Sequence, residues 1–322
     1  MKITTKLAVI DLGSNSIRLR IEGLSPDGGH QMLKYEKRYI RLSQNMGAKK
    51  KLQKEPMQRA IDALKEFRQI IESYQPVQLI AVATAAVRQA ENQQAFVDRV
   101  LKETGIKLNV ISGRREAYLD YVGVTRTLDL SDGLIVDTGG GSTELILVDD
   151  GAAEETISIP MGSVLISQAY HLGDKVAAAD LYDAMVDTDF RLANLNWLSR
   201  ARGTRVVALG GSNRALAKMY RRIGKSDKAD LPSLQGLTMH TNQVFSLVHS
   251  LLTMDREERA KVPGIAPERA DVIIGGLLPL TALMRQLKLD ELTFCNHGLR
   301  DGIIFKYMDH ELKEETIQQV GK

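Results

Sequence analysis

Apolar residues in the first forty positions follow the patterns of β-strands. The segments LAVIDL, IRLRIEGL and HQMLKYEKRYI predict three strands, and the PDGG sequence at 26–29 predicts the hairpin turn between the last two. Residues 41–54 predict a polar loop, and residues 56–74 have apolar positions at helical spacing. Further elements are predicted as a strand at 77–84, a helix at 91–104, a strand at 107–112 and a helix at 114–125. This mixture of hairpins and β-α steps indicates an α/β lobe with a mixed sheet.

The second half of the chain repeats the opening strand-turn-strand and then becomes mostly helical. Its elements are predicted as the repeat from about 132 to Ile159, helices near 162–172 and 176–198, a strand at 205–211, a helix to about 222, helices at 239–252 and 266–288, a strand at 291–295 and a final helix from about Leu299. We place the domain boundary near 122–130, with lobes of 1–125 and 126–301. The polar tail from 311 onward is expected to fray.

The most informative pattern is the repeat itself. Residues 8–21 read AVIDLGSNSIRLRI and residues 134–147 read LIVDTGGGSTELIL, so Asp11 aligns with Asp137 and the turn Gly13, Ser14, Asn15, Ser16 aligns with Gly139, Gly140, Gly141, Ser142. A Gly/Ser turn whose backbone N–H groups converge, with an acid at its mouth, suits a phosphate that carries a divalent cation. Either turn alone could be a plain hairpin with a solvated aspartate. Two matched copies favour two lobes that close on one polyphosphate.

A third glycine element lies at ALGGSNRAL, between a predicted strand and a predicted helix. Gly210, Gly211 and Ser212 would place backbone donors at the helix N-terminus, where the helix dipole favours an anion. A simple β-α turn with Ser212 as the helix N-cap fits the same residues.

Four acids are candidates for chemistry. Glu144 follows the second turn in an otherwise apolar strand and, together with Asp137, could face one Mg²⁺; Asp11 is a further candidate ligand. Glu116, at a strand-to-helix transition, could orient or deprotonate a water. The alternative for Glu116 is an ordinary first-turn glutamate that complements the helix dipole.

Composition limits the partners. The 322 residues suffice for about two domains, the net charge is only +3, and the single cysteine, Cys295, excludes an intramolecular disulfide. The apolar run before Asp11 is too short for a signal-peptide core, and the run at 272–284 is too short to span a membrane, so we expect a cytoplasmic protein without a membrane partner.

Basic residues are concentrated in two segments. Residues 34–54 carry eight cations and one acid, and residues 214–228 carry six cations and one acid. Such clusters either guide a polyanion or are solvated faces. Aromatic residues make up only 5% of the chain, which disfavours nucleic acid. The candidate guiding residues are Arg41, Lys49, Lys50 and Lys51.

Several motifs in order resemble the exopolyphosphatase / guanosine pentaphosphate phosphohydrolase (Ppx/GppA) family, in its short two-domain form. They are IDLGSNSIRL, ATAAVRQAEN, ISGRREA, VDTGGGSTEL, ALGGSNRALA, ERADVIIGGL and NHGLRDG. The resemblance implies an α/β fold of two actin-like (ribonuclease H-like) lobes, from the actin–sugar kinase–chaperone ATPase superfamily, with an interlobe active-site cleft. It also implies that the final helix, about 302–322, returns to the first lobe.

By the same resemblance, Glu116 activates the attacking water, Asp137 and Glu144 bind Mg²⁺ (or Mn²⁺), and Arg88 holds phosphate. The implied reaction releases orthophosphate from inorganic polyphosphate or from the 5′ end of pppGpp, and the implied oligomer is a homodimer. The alternatives are a small-molecule kinase of the same superfamily and a non-catalytic polyphosphate or nucleotide sensor. Three departures bear on substrate preference: Arg115 where the family usually has an acid, RLSQNMG at 41–47, and GGSN in the third loop.

Overall fold

The structure is a computed structural model that describes residues 2–47, 49–224 and 231–321. The chain divides into two compact units, Met1–Leu119 with Leu299–Lys322, and Asp120–Gly298. We call them the first unit and the second unit. The division at Leu119 and Asp120 falls inside the helix that the sequence predicts at 114–125. The last helix and the C-terminal tail belong to the first unit.

The strands alternate between buried and solvent-facing positions or are buried on both faces. In chain order they are β1 (Thr5–Leu12), β2 (Ser16–Leu24), β3 (His30–Tyr39), β4 (Val77–Ala83), β5 (Leu108–Val110), β6 (Gly133–Thr138), β7 (Thr143–Asp149), β8 (Ala152–Ile159), β9 (Arg205–Gly210), β10 (Thr238–His240), β11 (Glu291–Phe294) and β12 (Gln318–Val320).

Most of the helices bury apolar residues against the rest of the fold. They are α1 (Lys54–Glu72), α2 (Ala85–Arg88), α3 (Gln93–Thr104), α4 (Gly113–Thr125), α5 (Ser163–Ala169), α6 (Ala178–Ala193), α7 (Gly211–Tyr220), α8 (Thr241–Leu252), α9 (Arg256–Lys261), α10 (Ile273–Leu287) and α11 (Leu299–Met308), with 3₁₀ turns at Leu198–Ala201, Pro267–Arg269 and Glu314–Thr316. Among the described residues, no helix is long and apolar enough to cross a membrane.

The two units share one sheet topology. In the first, β3, β2 and β1 form an antiparallel meander, and β4 and β5 follow in parallel beyond β1. In the second, β8, β7 and β6 form the same meander, and β9 and β11 follow in parallel beyond β6. The repeat seen in the sequence therefore extends over five strands of each unit, which agrees with the two-lobed α/β fold class that the motifs implied.

Each sheet has its own apolar core. In the first unit, one face of the sheet packs on α1 and α3 through Phe67 and Phe96, which are almost completely buried. The second unit centres on α10, whose residues are buried on nearly every side. This explains why 272–284 is apolar throughout: it is a central helix, and its length matches a core helix.

The tail differs from the sequence prediction. Residues from 311 onward were expected to fray because they are polar, yet β12 pairs antiparallel with β4 and Val320 is only 1% exposed. The reason is that β5 pairs only with Ala81–Ala83, which leaves the Val77–Leu79 part of the same β4 edge for β12. Three further short elements, α2, β10 and α9, also lie where no such element was predicted.

Candidate active site

The first glycine turn joins β1 to β2 and is closed by its own backbone. The Gly13 N–H donates to the Ser16 carbonyl at 3.1 Å, and the side chains of Ser14, Asn15 and Ser16 are buried. The Nδ2 of Asn15 is buried without a hydrogen-bond partner among the described residues. Because an unpaired buried donor is costly, this amide is the kind of group that a bound anion would satisfy.

The loop after β3 is attached to the first turn. The Asn15 carbonyl accepts hydrogen bonds from the N–H groups of Ile40 at 3.0 Å and Arg41 at 2.9 Å, and the Ser14 carbonyl accepts one from Ser43 at 3.0 Å. Among the predicted guiding cations, Arg41 therefore lies beside the turn.

The three lysines of the same loop are solvent-exposed. Lys49, Lys50 and Lys51 precede α1, and Lys51 lines a cavity of about 680 Å³ at the start of that helix. Lys54, Asn45 and Asn92 also line this cavity. Because the three lysines are exposed, their positive charges can attract a polyanion from solution, as the predicted guiding role requires.

The second glycine turn repeats the first down to its hydrogen bond. The Gly139 N–H donates to the Ser142 carbonyl at 2.9 Å. The carbonyls of Gly139 and Gly140 accept the N–H groups of Ser163 and Val164, both at 2.9 Å, at the start of α5. The turn is thus held from behind by a helix.

Asp137 and Glu144 face each other across the second turn. They are direct partners in the antiparallel register of β6 and β7, so their side chains lie on the same face of the sheet. Glu144 is 2% exposed, and its Oε1 accepts a hydrogen bond from Ser158 Oγ at 2.7 Å. Two adjacent carboxylates repel each other unless a cation or a proton intervenes, which makes this pair a candidate metal centre.

The third glycine element packs directly on Asp137. Gly210 has φ +93° and ψ 172°, a region that essentially only glycine occupies. A Cβ on Gly210 would lie 2.3 Å from the Thr138 carbonyl oxygen and 2.6 Å from Asp137 Oδ1. Helix α7 begins at Gly211, and Gly210 is its N-cap residue, so Ser212 lies inside the helix rather than at its N-cap. The second and third glycine elements therefore meet at Asp137.

The side chain of Arg269 stands against the third loop, and the sequence analysis did not assign it a role. A Cβ on Gly211 would lie 2.1 Å from Arg269 Nη2, and Arg269 is 6% exposed. In the sequence, only its place in the ERADVIIGGL motif indicated that Arg269 could matter.

Cationic side chains cluster around Lys218 on α7. Burial and the neighbouring guanidinium groups lower the pKa of Lys218; these groups belong to Arg214, Arg221, Arg222 and Arg269. A concentration of positive charge that lowers a lysine pKa is a suitable environment for a polyanion. Lys225, Asp227 and Lys228 of the predicted cluster lie outside the described residues.

Glu116 and Arg88 form an ion pair in the first unit. Glu116 lies in the first turn of α4, and its Oε2 accepts a hydrogen bond from Arg88 Nη1 at 2.8 Å. Arg88 ends α2 and also donates to the Ile111 carbonyl at 3.1 Å. Their side chains are 11% and 20% exposed. The pair fixes the orientation of a carboxylate that still reaches solvent. The guanidinium carbon of Arg115, the residue that departs from the family pattern beside Glu116, lies 5.6 Å from the ring centroid of Tyr118.

Asp11 has cationic neighbours. Its Oδ2 accepts hydrogen bonds from Arg18 Nη1 at 2.9 Å and from Arg300 Nη1 at 2.7 Å. Arg18 is its register partner across β1 and β2. The sequence placed Asp11 among the metal ligands, and no cation site of three or more His, Cys, Asp or Glu side chains occurs within the described ranges.

The donor set fits Mg²⁺ at Asp137 and Glu144. Mg²⁺ in phosphate-transferring sites is bound by one or two carboxylates and completes its shell with water and substrate phosphates. The two carboxylates beside the glycine turn are enough for such a site, because water and substrate phosphate oxygens supply the remaining ligands of the metal.

The protein consists of two duplicated α/β units, each with a Gly/Ser turn beside an acidic side chain. The sequence profile of the Ppx/GppA phosphatase family matches residues 24–311, and the chain belongs to this family. It is 30% identical to exopolyphosphatase 1 of Mycobacterium leprae over 98% of this chain and 93% of that protein. A crystal structure of an exopolyphosphatase from Cytophaga hutchinsonii is similar, with a TM-score of 0.85, 27% identity and coverage of 95% of this chain and 98% of that one. The Ppx/GppA family member of Aquifex aeolicus is also similar, with a TM-score of 0.77, 26% identity and coverage of 96% and 99%.

Proposed function

We propose that the protein is a Mg²⁺-dependent exopolyphosphatase, which releases terminal orthophosphate from inorganic polyphosphate. The observation that carries this proposal is the carboxylate pair of Asp137 and Glu144, in direct register across the second glycine turn. The similarity to exopolyphosphatase 1 of Mycobacterium leprae over 98% of this chain supports polyphosphate as the substrate.

The glycine turns and Arg88 are assigned to binding. Backbone N–H groups of residues 14–16 and 140–142 and the buried Nδ2 of Asn15 are assigned as donors for phosphoryl oxygens. Arg88 presents its guanidinium to phosphate while it pairs with Glu116. Gly210, Gly211 and Ser212 are assigned to the phosphates further along the chain, because Arg269 and the other cations near α7 adjoin this loop.

Glu116 is assigned to the attacking water. The water oxygen bonds to the terminal phosphorus, the bridging P–O bond breaks, and its electron pair stays on the shortened chain. The proton of the water passes to the Glu116 carboxylate. Mg²⁺ bound by Asp137 and Glu144 would neutralise charge on phosphate oxygens. Positioning and electrostatics supply most of the catalysis in phosphoryl transfer, so these few groups suffice.

The experiment measures orthophosphate release with Mg²⁺ from long polyphosphate, tripolyphosphate and pppGpp in parallel. Wild type is compared with Glu116→Gln and with the control Glu72→Gln, which removes an exposed carboxylate paired with Arg68 on α1. We expect wild type and Glu72→Gln to release phosphate from polyphosphate. The Glu116→Gln variant should be slower by about 10²–10⁴-fold.

Each alternative function has its own outcome. Retention of more than about a tenth of kcat in Glu116→Gln contradicts the role of Glu116. Turnover of pppGpp alone moves the assignment to alarmone hydrolysis, and phosphate transfer only in the presence of an acceptor indicates a kinase. If the protein binds all three compounds but hydrolyses none of them, it is a non-catalytic sensor.

A further inference from the structure

Helix α6 is apolar on two opposite faces. Its inner face buries Ala184 and Leu192 in the core of the second unit. Its outer face exposes Tyr182, Val186 and Phe190, which are 68%, 50% and 68% accessible to solvent. Residues four positions apart lie on one side of a helix, so these three form a continuous stripe. A surface helix normally presents polar residues to solvent, and a contiguous apolar stripe there is typical of an interaction surface.

The stripe is symmetric about its central residue. Tyr182 lies four residues before Val186 and Phe190 lies four residues after it. The exposed alanines Ala179 and Ala193 lie seven residues before and seven residues after the same centre. A two-fold axis through the centre, perpendicular to the helix, would pair each aromatic side chain with the other aromatic of an antiparallel second copy, and each alanine with the other alanine. An isologous interface requires this kind of self-complementarity, because one patch must match itself.

Charged residues flank the stripe without preventing this pairing. Asp183 and Arg191 lie on the same edge of the helix, on opposite sides of its centre, so the two-fold axis brings them beside each other in the two copies. Arg191 also donates to Asp187 at 2.7 Å within its own helix. On the other edge, Asp189 pairs with Arg285 of α10 at 3.2 Å. The acids at both edges therefore have cationic neighbours.

The exposed area of the stripe limits the strength of the contact. An aromatic side chain buries about 150–250 Å², so at 68% exposure Tyr182 and Phe190 together offer roughly 200–340 Å² per copy. A specific interface of standard size buries about 800 Å² per partner, which would require the whole outer face of α6 and its edges. This area fits a reversible dimer that depends on protein concentration, because obligate dimers usually bury about 2,000 Å² or more in total.

We propose that the outer face of α6 is a self-association surface, on which two copies of this chain pair antiparallel across Val186. The surface lies in the second unit and contains none of the residues assigned to phosphate or metal binding. The inference is therefore independent of the proposed function, and a protein without phosphohydrolase activity would still show the contact.

Cysteine cross-linking of the full-length protein tests the position of the axis. The natural Cys295 is buried, so a new surface cysteine can be followed without interference. Under mild oxidation Val186→Cys should form a disulfide-linked dimer, because residue 186 meets its own copy on the axis. Tyr182→Cys alone should remain monomeric, since it faces residue 190, whereas Tyr182→Cys combined with Phe190→Cys should cross-link. The control is Leu101→Cys, which is 49% exposed on α3 and should not cross-link.

Sedimentation velocity over a series of protein concentrations measures the affinity without oxidant. We expect wild type to show a reversible monomer–dimer equilibrium that added NaCl does not weaken, because apolar burial drives it. Val186→Asp places two like charges against each other on the axis and should weaken the dimer at least about tenfold. Leu101→Asp is the matched control and should dimerise like wild type. Both replaced residues are exposed, so circular dichroism melts should resemble that of wild type.

Three outcomes overturn the inference. A wild type that stays monomeric throughout the concentration series excludes a second copy as the occupant of the stripe and leaves it to a partner of another sequence. A dimer that is equally stable in Val186→Asp uses a different surface. Cross-linking of Tyr182→Cys alone, without cross-linking of Val186→Cys, excludes the antiparallel pairing across Val186.

Discussion

Gly210 offers the most direct test of the geometry around Asp137. A Gly210→Ala substitution adds one methyl group where the Thr138 carbonyl oxygen would be 2.3 Å away and Asp137 Oδ1 2.6 Å away. It also forces a residue with a Cβ to adopt φ +93°. Gly203→Ala is the matched control, because Gly203 has φ +75° and nothing within 4 Å of the added Cβ. The control isolates the backbone cost from the contact with Asp137.

The expected magnitudes differ by a factor of two or more. A positive φ alone costs an alanine about 1–2 kcal/mol, which is the whole effect at Gly203. At Gly210 the strained backbone region costs about 1–3 kcal/mol, and the inserted methyl group adds about 1–3 kcal/mol of overpacking. At about 2–4 °C per kcal/mol, Gly203→Ala should lower Tm by about 4 °C and Gly210→Ala by about 10 °C.

Scanning calorimetry of wild type and both variants measures this difference. Mn²⁺ binding followed by electron paramagnetic resonance adds a second readout, since a displaced Asp137 should weaken the cation site in Gly210→Ala and leave it intact in Gly203→Ala. If both variants melt at the same temperature and bind Mn²⁺ equally, then Gly210 does not pack on Asp137 and the third glycine loop does not support the cation site.

Three further predictions concern other contacts. Ser158→Ala removes the 2.7 Å hydrogen bond to Glu144 and should weaken Mn²⁺ binding by about tenfold with little change in Tm; unchanged Mn²⁺ affinity would mean that other contacts orient Glu144. Burial and nearby guanidinium groups lower the pKa of Lys218 below its ordinary value of 10.5. Between the lowered pKa and 10.5, the unfolded chain therefore binds more protons than the folded protein. The free energy of unfolding rises with pH through that window. Lys218→Met should therefore melt higher than wild type at pH 7, and the advantage should shrink as the pH approaches 10.5; an advantage that grows with pH contradicts this sign. Deletion of residues 312–322 removes β12, with Val320 only 1% exposed, and should lower the Tm of the first unit; an unchanged melt would mean that β12 adds no stability.

Local patterns were sufficient to predict much of the fold. Apolar runs identified the strands β1 and β4, which are buried on both faces, and helical spacing identified α1, which buries one face. The internal repeat identified two units of one topology, and the same backbone hydrogen bond closes both turns. Short elements such as β10 and β12 carry too few residues to show a period.

Contacts between distant residues were beyond the sequence pattern. Arg300 and Asp11 are 289 positions apart, and no spacing rule connects a residue of the last helix with the end of the first strand. The contact of Gly210 with Asp137 also depends on the parallel pairing of β9 with β6. The sequence identified glycines and acids as candidates, but only the fold shows which acid pairs with guanidinium groups and which faces a second carboxylate.

The opposite charges of the two hairpins are consistent with the demands of a polyanionic substrate. If position 18 carried a carboxylate like that of Glu144, each hairpin would present two adjacent acids, and each would need its own divalent cation before a phosphate could approach. If Glu144 were instead an arginine, Asp137 would be neutralised as Asp11 is, and no carboxylate pair would remain to bind Mg²⁺. One changed cross-strand residue on a duplicated backbone therefore leaves one aspartate paired with a guanidinium and the other paired with a carboxylate. Only the second pair offers the two carboxylates that the proposed Mg²⁺ would need.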